Sequence, residues 1–251
     1  MLNYRLIPII LIEEGRMVKT VNFKNPKYVG DPINAVRIFN EKLVDEIMLV
    51  DMSVSKLNKS PDIELIESIA SECFMPLSYS GGIKKYEDVE KIFSVGVEKV
   101  TFQTVAFYDI ELIKKTINHY GAQSVAISVD VKKDWLGKYK IYNHVLKKKR
   151  PENLLNHIKI FNDIGVGEII INSVDMDGTL KGPDLDLLKI LSDKINVPLI
   201  YNGGISSIDD IEKVFNFGCS VAAGSFFVFH GPHKAVLITY PSQNQISNIL
   251  T

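Results

Sequence analysis

The chain of 251 residues carries 46% hydrophobic and 24% charged side chains, enough to bury a substantial core as one large α/β domain or two small ones. Its 29 basic and 30 acidic residues leave a formal net charge of -1, which gives no global field for nucleic acid or an anionic membrane, so any anionic ligand must be held locally. Two distant cysteines, Cys73 and Cys219, argue against a disulfide scaffold, the histidines form no HExxH-like constellation, and the apolar stretch Leu6 to Ile12 is too short to cross a bilayer; a cytoplasmic protein without metal or other cofactor is expected.

Short apolar runs rich in Ile, Val and Phe alternate with helical periodicity along the chain. Strand RLIPIIL (5–11) precedes helix PINAVRIFNEKL (32–43), strand EIMLVDM (46–52), helix PDIELIESIASEC (61–73) and strand PLSYS (76–80). Helix YEDVEKIFSVG (86–96), strand KVTFQTV (99–105), helix DIELIKKTINHYG (109–121) and strand SVAISVD (124–130) follow. The series ends with helix PENLLNHIKIFNDIG (151–165), strand EIIINSV (168–174), helix DLDLLKILSDK (184–194), strand PLIYN (198–202), helix SIDDIEKVFNFG (207–218) and strand SVAAGSF (220–226). Several helices close on glycine, as C-caps do. The eighth helix is weak: Pro232 and Pro241 interrupt it, KAVLITY (234–240) reads as extended, and only Ser242 to Leu250 leaves room for a short helix.

An internal repeat organises these elements. Pro61/Pro183, Pro76/Pro198, Gly81/Gly203, Gly82/Gly204, Asp88/Asp210, Phe93/Phe215 and Gly96/Gly218 all lie 122 residues apart, and the register extends back to Phe39/Phe161. Two copies of a four-unit β/α half, approximately 1–122 and 123–251, predict a single-domain (β/α)8 TIM barrel more naturally than an open doubly wound sheet.

In such a barrel the chemistry gathers where strands end. Gly81 and Gly82 follow the third strand, Gly203 and Gly204 the seventh, and Gly224 and Ser225 end the eighth, with Thr104 after the fourth. Glycine there lets backbone N–H groups approach an oxyanion at a helix start; the simpler reading is a tight βα turn. Two symmetric pairs favour two phosphate sites, hence a small molecule with a phosphate at each end. Among the carboxylates at strand ends, Asp51, Asp130, Asp175 and Asp177, the first choice for acid/base work is Asp130, which closes an apolar strand. Its structural alternative is a cap or an ion pair with Lys132 or Lys133, while Asp177 followed by Gly178 also fits turn chemistry.

The segments RLIPIILIEEGRMVK, VGDPINAVRIFN, EIMLVDMSVS, SGGI, EKVTFQT, EIIINSVDMDGTLKG and NGGISS, collinear over nearly the whole chain, resemble the cyclase subunit of imidazole glycerol phosphate synthase. That resemblance implies a (β/α)8 barrel docking a glutaminase subunit on its bottom face, with ammonia crossing the barrel to a doubly phosphorylated ribulose-type substrate in a lyase/cyclisation reaction of histidine biosynthesis. It implies phosphate or substrate roles for Lys19, Gly82, Thr104, Asp177, Gly178, Asn202, Gly203, Gly204, Gly224 and Ser225, and a charged ring of Arg5, Glu46, Lys99 and Glu168 controlling ammonia passage.

The departure is at the top. The family carries one catalytic aspartate ending the first strand and another ending the fifth; the second matches Asp130, but Leu11 occupies the first position and cannot exchange a proton. Glu13 shares its face but lies about 7 Å further along by strand rise. Gln103 replaces an asparagine. This combination, with the ending FFVFHGPHKAVLITYP, resembles a divergent branch associated with surface-polysaccharide and flagellar glycan loci, where barrel and glutaminase supply ammonia to an N-acetyl sugar amidotransferase. The basic stretch Lys132 to Arg150, with Trp135, Tyr139 and Tyr142 interspersed, is either a docking or covering element or a solvated loop. Three classes follow: a cyclase subunit, an ammonia-conducting accessory barrel, and a phosphoribosyl isomerase, which needs no tunnel entrance.

Overall fold

A computed structural model describes residues 4–249. Eight strands close on themselves in parallel: β1 (Leu6–Glu13), β2 (Ile47–Asp51), β3 (Leu77–Ser80), β4 (Lys99–Phe102), β5 (Val125–Lys133), β6 (Glu168–Ser173), β7 (Leu199–Asn202) and β8 (Ser220–Ala223). Each pairs with its sequence neighbours, and β8 returns to β1 through Leu6 opposite Val221. The helices between them are α1 (Pro32–Glu41), α2 (Ile63–Ala70), α3 (Tyr86–Ser94), α4 (Ile110–Tyr120), α5 (Leu154–Ile164), α6 (Leu185–Leu191) and α7 (Ile208–Phe215). This is a (β/α)8 barrel.

Strand parity sorts the apolar residues into two cores. Ile7, Met48, Ala126, Ile170, Ile200 and Ala222 pack inside the barrel, with Ile9 and Val50 against them. Residues of opposite parity, such as Ile10, Leu49, Tyr79, Val100, Ile127 and Tyr201, join the helix faces in the outer core. Both faces of each strand are therefore covered, which is why the strand sequences are continuous apolar runs.

The 122-residue spacing is visible in the caps. Asp31 and Asn153 accept hydrogen bonds at the starts of α1 and α5, and Asp62 and Asp184 do so at α2 and α6. Asp88 in α3 and Asp210 in α7 both reach back to backbone N–H groups of the preceding turn.

Two excursions break this regularity, both on the upper face. After β1 the chain makes a hairpin, Arg16–Val21 with Lys24–Gly30, laid antiparallel against β1. It is tied to the β6 loop by Asn22, whose N–H donates to the Asp177 carbonyl at 2.9 Å and whose Nδ2 donates to those of Val174 and Asp175. After β5 the basic stretch folds as a β-ribbon, Tyr139–Asn143 pairing antiparallel with β5 and then with Lys148–Lys149. In the eighth unit a single turn, Ser225–Val228, takes the helix position. Of KAVLITY only Ala235–Val236 forms a strand, against Phe229–His230. The final helix α8 spans Gln243–Ile249, and Leu250 lies outside the described residues. Among the described residues no helix is long and apolar enough to cross a membrane.

Candidate active site at the two ends of the barrel

At the lower end β1, β2, β4 and β6 each begin with, or directly follow, a charged residue on the inward face. Arg5 donates through Nη1 to Glu46 and through Nη2 to Glu168. Lys99 Nζ lies 3.1 Å from Glu46 Oε1 and 2.9 Å from Glu168 Oε2. Positive and negative side chains alternate around a closed ring in which each contacts both neighbours. Both carboxylates are buried, so their charge is tolerated because every one of them has two cationic partners. The four residues implied by the resemblance thus form a closed ion network.

Above the ring the inward side chains turn apolar and then polar. Thr101, on the same face of β4 as Lys99 and Gln103, is buried and its hydroxyl has no hydrogen-bond partner among the described residues. At the upper mouth Asp130 is 2% exposed and accepts three side-chain contacts. Gln103 Nε2 donates to Oδ2, Asn172 Nδ2 donates to Oδ1 at 2.8 Å, and His144 Nδ1 lies 3.2 Å from Oδ2. Asn202 Nδ2 in turn donates to Asn172 Oδ1 at 3.0 Å, so amides on β6 and β7 form a relay towards the carboxylate. Lys132 and Lys133 do not pair with Asp130: they contact Asp175 and Asp184, which removes the loop salt bridge as the structural alternative. Asp51 is a helix cap, accepting from Ser53 N–H and Oγ.

Leu11 stands at the top of β1, paired in register with Val18 and Val50. Glu13, two residues on, is turned to Lys56 at 3.5 Å.

The anion residues fall into two clefts at the rim. One is lined by Asp177, Gly178, Asn202, Gly203, Gly204, Gly224 and Ser225 among others. The other, with an empty volume of about 650 Å³ including its open mouth, gathers Ser55, Gly81, Gly82, Lys84, Thr104 and Tyr108. The glycines also meet a steric demand: a Cβ on Gly204 would sit 2.1 Å from the Gly182 carbonyl oxygen, and one on Gly81 2.5 Å from that of Asp51. Turn geometry alone therefore requires glycine at these positions.

Lys19 from the first hairpin is buried beside the second-half cleft, its Nζ donating to the Ile9 carbonyl at 2.6 Å and lying 2.8 Å from where a Gly224 Cβ would be. Burial lowers its pKa to about 8, against the opposing pull of Asp177. Asp177 accepts from Thr20 Oγ1 at 3.2 Å, and burial raises its pKa to about 6. Sequence reasoning missed His144 and Asn172. His144 sits on a long excursion whose folding back over the barrel no local pattern announces; Asn172 had a legible signal, an amide interrupting the apolar run EIIINSV at inward parity. Among the described residues no group of three His, Cys, Asp or Glu side chains is placed to hold a metal ion.

Residues 5–232 match the family described as histidine biosynthesis protein. A Pseudomonas aeruginosa protein with the provisional name imidazole glycerol phosphate synthase subunit hisF2 is 47% identical over 98% of this chain and 99% of its own length. A Leptospira interrogans protein, provisionally named imidazole glycerol phosphate synthase subunit HisF, is 45% identical over 97% of each chain. The imidazole glycerol phosphate synthase subunit HisF of Chlorobium phaeobacteroides is 34% identical over 92% of this chain and 91% of its own length. By fold, collinear sequence and extent of match, the chain belongs to the family of HisF-type subunits of imidazole glycerol phosphate synthase.

Proposed function

We propose that this barrel receives ammonia from a glutaminase subunit docked on its lower face, conducts it along the barrel axis, and delivers it at the upper face to a separate N-acetyl sugar amidotransferase, its own cyclisation being crippled by Leu11. The observation that carries this reading is a complete charged ring below a mouth with only one of the two family carboxylates. A ring that alternates in sign blocks water and ions when shut, and opening it requires only that a flexible ammonium such as Lys99 swing aside. The interior of Ile7, Met48, Ile170 and Ile200 then favours neutral ammonia over ammonium, because an unpaired charge there would be uncompensated. The partnerless Thr101 hydroxyl offers a hydrogen-bonding stop on the way. A phosphoribosyl isomerase has no use for such a ring.

The test compares wild type with Leu11→Asp, supplying ammonium chloride and the phosphoribulosyl intermediate of histidine biosynthesis. Turnover at least about 100-fold faster in the variant supports the reading, since a positioned proton-transfer group contributes about 10²–10⁴. Equal turnover would establish the second reading, a genuine cyclase subunit making imidazole glycerol phosphate, which the His144 contact to Asp130 favours. Ammonia passage is measured separately, as stimulation of glutamine hydrolysis on mixing with the glutaminase; no stimulation and no co-purification would exclude it.

A further inference from the structure

We infer that His144 and Asp130 form an acid–base dyad at the upper mouth, in which His144 supplies the proton-transfer group that Leu11 cannot. The inference rests on the reading that ammonia emerges at this face. Asp130 ends the inward row Ala126, Ser128, Asp130 on β5, and Ala126 belongs to the barrel interior, so the carboxylate stands over the axial path. Its two oxygens take donors from Gln103, Asn172 and His144, and a carboxylate has only lone pairs to offer. In a neutral imidazole this contact requires the proton on Nδ1 and leaves the Nε2 lone pair as a base. No described residue bonds to Nε2, and the imidazole is about one-fifth exposed while the Asp130 side chain is sealed.

This is the arrangement of an imidazole oriented by a buried carboxylate, with neutral amides rather than a competing cation holding the acid. The ribbon that brings His144 here is anchored rather than loose. Tyr139 donates to Asp184 at 2.6 Å, Lys133 pairs with the same carboxylate, and Asn143, beside His144, accepts from the Leu146 N–H at 2.8 Å.

The step the dyad serves is the barrel's own residual chemistry, slow beside the delivery proposed above: addition of ammonia to an electrophilic sp² carbon of a small phosphorylated acceptor held at the rim. The nitrogen lone pair forms the new C–N bond while the π pair moves to the heteroatom on that carbon. The surplus proton on nitrogen passes to Nε2 of His144 and from there to the heteroatom, and the Nδ1 proton stays with Asp130. Charged and titratable groups around the pair are Tyr142 and Lys132 on the same ribbon and strand, Asp175 and Asp177 on the β6 loop, and Lys19 from the first hairpin.

The probe reaction is again the phosphoribulosyl intermediate with ammonium chloride, run between about pH 6 and 9 on wild type, His144→Gln and Leu11→Asp/His144→Gln. The dyad predicts slow wild-type turnover with an acidic limb, at least about tenfold loss of rate and loss of that limb in His144→Gln, and recovery in the double variant. Nitrogen NMR of the imidazole ring supplies the second readout: the dyad shows His144 as the Nδ1-protonated tautomer, and Asp130→Asn removes that preference. Wild-type turnover indistinguishable from background, a rate and pH profile indifferent to His144→Gln, or a tautomer unchanged by Asp130→Asn overturns the dyad. Stimulation of the glutaminase by the same variants reports on ammonia passage independently.

Discussion

At the lower end of the barrel four side chains of opposite sign direct their hydrogen bonds at one another; at the upper end a single carboxylate is held by two amides and an imidazole. The lower arrangement is electrically closed and can open only by breaking an ion pair. The upper one leaves an anion without a formal cation beside it and a ring nitrogen free, so proton chemistry is available there. On the function proposed above, one end gates and the other meets the acceptor, and an apolar interior joins them.

The largest effect that would break this contrast comes from opening the ring. Glu46 is buried and contacts both Arg5 and Lys99, so Glu46→Ala leaves two cations sharing the single carboxylate of Glu168. The expected loss of stability is about 3 kcal/mol, the low end for removing one partner of a buried pair because Arg5 is partly exposed. Urea denaturation measures it. A loss below about 1 kcal/mol would mean that the ring is a solvated cluster rather than a sealed gate.

The ring was legible through the family resemblance, which implies it at Arg5, Glu46, Lys99 and Glu168, and the 122-residue offset makes Glu46 and Glu168 mates. The barrel was legible for a related reason, since apolar runs covered on both faces differ sharply from the amphipathic helices between them. Asp130 could be named from the strand it ends. His144 could not, because its position depends on the ribbon after β5 pairing back on Val131 to Lys133, a long-range register that no turn residue dictates. The roles weighed for the glycines also could not be separated from sequence; the structure places them in the rim clefts and adds a second, steric demand for glycine there.

That second demand provides a steric counterpart to the electrostatic test below. Gly204 has φ +81°, and a Cβ there would press on the Gly182 carbonyl; Gly82 has φ +63°, and its nearest obstacle is the Val54 side chain at 2.8 Å. Backbone cannot retreat as a methyl group can. Gly204→Ala is therefore expected to cost about 2–3 kcal/mol and Gly82→Ala about 1–2 kcal/mol, within the range for strained non-glycine backbone plus local overpacking. Thermal unfolding of the two variants checks the order; the reverse order would show that the two rims are not built as the repeat implies.

The smallest expected effect concerns two buried groups at the upper rim whose charges, unlike those of the ring, are only partly compensated. The Asp177 carboxyl titrates near 6 in the folded chain against an ordinary value of 3.8, chiefly through burial. Between about pH 4 and 6 the folded state therefore holds a proton that the unfolded chain has released, and stability falls as pH rises through that window. Lys19 is displaced the other way, to about 8 from 10.5, so folding regains stability as pH climbs from about 8 to 10.5. Asp177→Asn should abolish the acid-side fall, a change on the order of 1–2 kcal/mol once coupling to Lys19 is allowed for, and leave the alkaline rise. An anion seated at Gly203, Gly204 and Gly224 favours the charged form of Lys19. Inorganic phosphate should consequently raise the melting temperature more at pH 7 than at pH 9, and equal stabilisation at both would detach Lys19 from that cleft.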